Sequence, residues 1–115
     1  MSNQSIPLLT LTIAATAVIA ANRFVNAIGA QVVADANAIG VSRTSAAIGE
    51  QVAVDVLGTA VVESGAAFSK GATLKVDSLG RAITWVTSGG RVAIALEAAT
   101  AAGQFIEVLL MDNAA

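Results

Sequence analysis

The side chains able to do chemistry in this 115-residue chain are few, and none is histidine or cysteine. Without imidazole there is no Ser-His-Asp arrangement, no HExxH zinc site and no histidine general base. Without cysteine, disulfides and thiolate metal centres are excluded. Three carboxylates, Glu50, Asp55 and Glu63, are spaced so that neighbouring strands could bring two of them together, which is the minimum for acid–base work on a small substrate. Charges pointing outward along strands more commonly form a solvated face. Ser69-Lys70-Gly71 holds the residue types of a phosphate loop in the wrong order and without the GxxxxGK frame, so it reads as a turn. Asp77-Ser78-Leu79-Gly80-Arg81 has the Asp and Gly of an anion or metal loop, but these are also ordinary hairpin residues, and the turn is the economical reading. Trp85 could stack on a ligand. With Ile83 on the same strand face, and with Phe105 further on, it is expected instead in the core or at a subunit boundary. None of these groups implies a cofactor or a metal.

The elements that must position them read as strands. Turn signals recur at short intervals at Gly29, Gly40, Gly49, Gly58, Gly65, Gly71, Gly80, Gly89-Gly90 and Gly103. Between them lie β-rich runs at 23–28, 51–56, 59–63, 73–76, 81–86, 91–96 and 104–111. Short strands punctuated by glycine predict an all-β sandwich or barrel. In 51–56 the apolar face is Val52, Val54 and Val56, opposite Gln51 and Asp55. In 91–97 the expected inner face is Val92, Ile94 and Leu96, opposite Arg91 and Glu97. The last two runs are joined by an alanine-rich connection containing Gly103 and read as a closing pair of strands. The alanine-rich segment 30–47 is open between a short helix and loops, because alanine favours helix while Val32, Val33 and Val41 favour strand. Residues 96–102 are also compatible with one helical turn.

At the N-terminus, residues 6–21 are apolar enough to raise a membrane or export reading. Three threonines, the short length before Asn22 and Arg23, and the missing basic residue ahead of the run weigh against it. Period two explains more. Leu9, Leu11, Ile13, Ala15, Ala17 and Ile19 alternate with Thr10, Thr12 and Thr16, giving a strand with one greasy face. Ahead of it, Ser2, Asn3, Gln4, Ser5, Ile6 and Pro7 form a polar stretch whose proline removes a donor where pairing would begin, and residues 1–7 are expected to be a flexible arm. Asn3-Gln4-Ser5 matches a glycosylation sequon, which matters only in a secreted chain. Residues 8–115 are expected to form a single β-rich domain with one core.

Composition limits the partners. Hydrophobic residues make up 56% of the chain and charged residues 12%, so the surface is poorly charged. Much of the apolar content is alanine, and with only Phe24, Phe68, Trp85 and Phe105 as aromatics the core is thin. Burial is therefore expected to be completed by other chains, in an oligomer or on a lattice. A net charge of −2 with six dispersed basic residues gives no footprint for nucleic acid.

Four segments in the second half carry a resemblance. They are Gly65-Ala66-Ala67-Phe68-Ser69-Lys70-Gly71; Leu74-Lys75-Val76-Asp77 with Gly80-Arg81-Ala82; Gly90-Arg91-Val92-Ala93-Ile94-Ala95-Leu96-Glu97-Ala98-Ala99; and Ala102-Gly103-Gln104-Phe105-Ile106-Glu107-Val108-Leu109-Leu110. In this order and spacing the chain resembles the capsid cement, or decoration, proteins of tailed bacteriophages over about residues 56–111. The resemblance implies a small β-barrel-like or β-tulip domain on the outside of the phage head, assembled as a homotrimer at local threefold positions. Its partner would be the major capsid protein, with no direct contact to nucleic acid or membrane, and its task would be to hold the lattice against packaged DNA. The arm residues Ser2 to Pro7 would add to an exposed capsid strand. Two other classes stay open on the residues alone. One is a secreted or surface-displayed β-rich subunit, such as a pilus or surface-layer component; the other is a small ligand-binding or carboxylate-using barrel.

Overall fold

A computed structural model of the chain describes residues 6–26, 28–30, 38–86 and 90–110. Eight strands follow one another: β1 (Pro7–Ala14), β2 (Phe24–Val25), β3 (Gly40–Ser42), β4 (Gln51–Glu63), β5 (Thr73–Val76), β6 (Ala82–Thr84), β7 (Ala93–Ala95) and β8 (Phe105–Leu110). They form one sheet in the order β2-β3-β4-β8-β7-β5-β6, with β1 attached to β4 outside that path. The two ends of the sheet meet. The Phe24 amide donates to the Gly80 carbonyl at 2.8 Å, and Ser64 forms a parallel bridge with Ala82. An all-β, barrel-like fold results, with no helix among the described residues.

β4 organises the molecule. Its first half pairs with β1 and β3 and its second half with β8. The sequence reading splits this segment at Gly58, and the structure joins the halves into one strand. Gly58 has φ +99°, a backbone state that other residues adopt only at a cost, so the chain turns there without leaving the sheet. A Cβ at this position would run into the Ile6 carbonyl oxygen and the Leu8 amide nitrogen. The glycine therefore also makes room for the start of β1.

Two apolar clusters lie where one core was expected. The larger fills the barrel with Phe24, Val41, Ala60, Val62, Phe68, Leu74, Val76, Ile106 and Val108 among others. The smaller gathers Ala15, Ile19, Val25, Ala46, Val52 and Val54 against the first half of β4. The expected alternation holds in β5, where Leu74 and Val76 point inward, and in β8, where Ile106, Val108 and Leu110 do so. It inverts in β7. Ala93 and Ala95 are buried while Ile94 and Leu96 are only partly so, because the interior of a small barrel has room for methyl groups beside the Phe24 and Phe68 rings.

Other boundaries moved as well. The N-terminal strand stops at Ala14 rather than running to residue 19, and Ile19 is held instead by a bridge to Ala46. Within 30–47, residues 31–37 lie outside the described residues; 40–42 form β3. Residues 96–102 are not helical, since Ala99 bridges to Phe68.

Candidate functional site

The three carboxylates do not gather into a catalytic group, because each has its own structural partner. Asp55 lies in register with Thr10 of β1 and Val41 of β3, and its buried carboxylate accepts a 2.9 Å hydrogen bond from Thr10 Oγ1, with Arg43 Nη1 at 3.7 Å. Glu63, at the end of β4, is gripped by Arg23, whose Nε and Nη2 donate to Oε1 at 3.2 and 2.9 Å; Arg81 Nη1 stands 3.9 Å from Oε2. Glu50 is exposed and caps its own turn by accepting from the Ala47 amide. Among the described residues no three potential metal-binding side chains cluster together.

The segment 77–81 is a turn built by its aspartate. Asp77 Oδ1 accepts from the amides of Leu79 and Arg81, Oδ2 pairs with Arg81 Nε at 3.0 Å, and Gly80 takes φ +79°. Ser69 and Lys70 are exposed turn residues before Gly71. A shallow cleft of about 190 Å³ is lined by Asn22, Val41, Ser42, Arg43, Asp55 and Val61. That is below the roughly 300 Å³ at which small-molecule sites usually begin, and its polar groups are already engaged: Asn22 Nδ2 donates to the Val61 carbonyl, Ser42 Oγ to the Ala20 carbonyl, and Arg43 pairs with Asp55.

The aromatic candidates stand away from the barrel core. Phe105 is 50% exposed at the start of β8, opposite Glu63 in register, and Ile83 and Trp85 are only partly buried. The core half of the expectation for Ile83, Trp85 and Phe105 therefore does not apply within one chain, because β6 and the start of β8 turn these side chains to the outside of the sheet. Arg91 lies over the Trp85 ring, 4.3 Å from its centroid. Such an exposed cation–π pair contributes about 0.5–1 kcal/mol, so the tryptophan face is partly covered by its own chain.

The least expected surface is β1. Period two gives the strand one greasy face, and Leu9 and Leu11 of that face are exposed, as is Leu8, by 73%. Leu57 faces Leu9 across the β1–β4 ladder and is exposed too. Ile6 lies at the head of this ribbon, its amide donating to Thr59 Oγ1 at 2.8 Å and its carbonyl accepting from the Thr59 amide at 3.1 Å. The flexible-arm reading is thus corrected at its end: Ile6 is docked and Pro7 opens β1, held by backbone bonds to β4. Ser2, Asn3, Gln4 and Ser5 lie outside the described residues. What the sequence reading missed is that this strand pairs, among the described residues, with β4 alone. Charge gave no sign of it, because residues 1–22 contain no Asp, Glu, Lys or Arg, whereas edge strands usually carry such residues.

Comparison with known proteins adds three findings. The sequence model of the family described as phage cement protein matches residues 3–110. No curated protein matches the chain. Among solved structures the chain is similar to the head fiber gp8.5 N base of bacteriophage phi29, with a TM-score of 0.71 and 18% identity, over 90% of this chain and 93% of that one. At such identity the likeness speaks for a shared fold.

Proposed function

This chain belongs to the phage cement protein family and is a structural protein of the virion at the outer surface of the capsid; from that premise we propose that it binds the major capsid protein as a homotrimer and clamps neighbouring capsid subunits against the pressure of packaged DNA. The family match over residues 3–110 carries the reading. The same match favours a capsid role over a pilus or surface-layer subunit. Further support comes from the described surface, which offers an uncharged aliphatic ribbon in place of a catalytic grouping. The function is then mechanical: many modest contacts, repeated over a lattice, add up because each local engagement raises the effective concentration of the next.

In this account the segment Ser2 to Ser5 extends from the docked root at Ile6 onto the capsid, while Ile83, Trp85 and Phe105 lie towards a subunit boundary. The test is to mix the purified protein with expanded heads and with unexpanded proheads and to measure bound copies by sedimentation. Saturable binding to expanded heads alone is the expected result. Failure to bind expanded heads of the phage that encodes it would overturn the proposal.

A further inference from the structure

We infer that the β1–β4 ribbon is the surface through which copies of this chain meet one another, with Leu8, Leu9 and Leu57 turned towards the threefold axis of the assembly. The inference rests on the homotrimeric reading above and names the surface that builds it.

Three observations carry it. First, β1 has the sequence of a covered strand in the position of an edge strand. PLLTLTIA places Leu9, Leu11 and Ile13 on one face, as a strand with one covered face does, yet Leu9 and Leu11 are exposed and among the described residues β4 is its only strand partner. Natural proteins usually protect a long edge with charges, an interior proline or a bulge that twists it away. Here the proline is at the first position, the register shifts lie between Pro7 and Thr10, and the remainder, Thr10 to Ala14, pairs regularly without a charged residue. Such an edge is expected to be covered in the working assembly.

Second, the ribbon is chemically suited to a symmetry axis. Side chains beside a rotation axis meet their own copies, so a charged residue there faces a like charge, whereas an aliphatic one meets a matching apolar surface. The charge-free stretch 1–22 contains β1 entirely, and of its partner residues on β4 the carboxylate of Asp55 is already held by Thr10 and Arg43. The other occupant in view, the capsid protein, would have no such reason to require an uncharged surface.

Third, the ribbon is built rigidly enough to present those side chains. Ile6 is tied to Thr59 at one end, and the Ala15 amide donates to the Glu50 carbonyl at 2.8 Å at the other. Exposed leucines on a fixed ladder lose little further freedom when a second copy covers them.

The test compares Leu8→Lys/Leu57→Lys with a control, Ala66→Lys/Ala67→Lys, which places the same two charges at exposed sites in the loop between β4 and β5. Oligomeric state is read by analytical ultracentrifugation, folding by circular dichroism, and function by head binding. The wild type and control should be trimers, and the double variant a folded monomer whose trimers require about a hundredfold higher concentration or more. A double variant that stays trimeric overturns the inference; if it also loses head binding, the ribbon is the capsid contact instead. A wild type that is itself monomeric refutes the trimeric reading, and the inference with it. Should the double variant fail to fold, Leu8→Cys decides the matter, because the chain has no other cysteine. A short bismaleimide should link copies of Leu8→Cys into covalent dimers and leave Ala67→Cys unlinked; trimers of Leu8→Cys that do not cross-link overturn the inference.

Discussion

At the scale of single residues, the charged groups close the barrel rather than form a site. Arg23 enters β2, Glu63 ends β4, and Arg81 and Asp77 flank the turn between β5 and β6. Their side chains are 17%, 19%, 22% and 13% exposed, so water screens them only in part. Arg23 Nη1 also donates to the Leu79 carbonyl at 2.8 Å, which ties the same turn to β2. Glu63→Gln leaves two guanidinium groups facing a neutral amide. It is expected to cost about 1–3 kcal/mol, less than a fully buried pair because of the partial exposure. Scanning calorimetry should show the midpoint falling by several degrees, while the exposed Glu50→Gln, whose amide oxygen can still cap its turn, stays within about 0.5 kcal/mol of wild type. Equal midpoints for the two variants would deny Glu63 its closing role. The Asp77 turn was legible in the sequence because its hydrogen bonds span only two to four residues. The Arg23–Glu63 pair was not, since forty residues separate its partners and only the closed sheet brings them together.

At the scale of elements, what could be read was local pattern. Residues 73–76 form β5 with the expected ends, and the closing pair joined through Gly103 is present as β7 and β8 in antiparallel register. Two features could not be read this way. In β7 the larger side chains of Ile94 and Leu96 suggest the inner face, but interior volume, set by the distant Phe24 and Phe68, admits the alanines instead. In β1 alternation predicts a strand correctly but says nothing of whether a neighbour will cover it, which depends on topology and on other chains. The docked root at Ile6 and Pro7 also redefines the segment worth removing. Deleting residues 2–5 should leave the thermal midpoint of the free protein almost unchanged, while occupancy of heads at sub-saturating concentration should fall tenfold or more, about 1.4 kcal/mol. Equal occupancy would make those residues bystanders and move the capsid contact to the barrel loops.

At the scale of the whole molecule, a thin interior and an apolar exterior belong together. Neither apolar cluster is large, alanine makes up much of both, and only Phe24 and Phe68 bring aromatic volume to the barrel. The large aliphatic side chains that would enlarge a core are instead displayed at Ile6, Leu8, Leu9, Leu11 and Leu57, and again at Val18, Ile28 and Ile48. A domain of this size has a high ratio of surface to volume, and covering such side chains gains about 25 cal/mol for each Å² of apolar surface removed from water. Covering these side chains on association would add stability that the interior of one chain does not supply, which suits a structural protein of the capsid surface. If the protein clamps the shell, bound copies should strengthen it. DNA-filled heads lacking the protein should be heated with and without it added back, and release of DNA followed by dye fluorescence. The release temperature should rise as the protein is titrated in and level off when its sites are full; a release temperature unchanged at full occupancy would contradict the account.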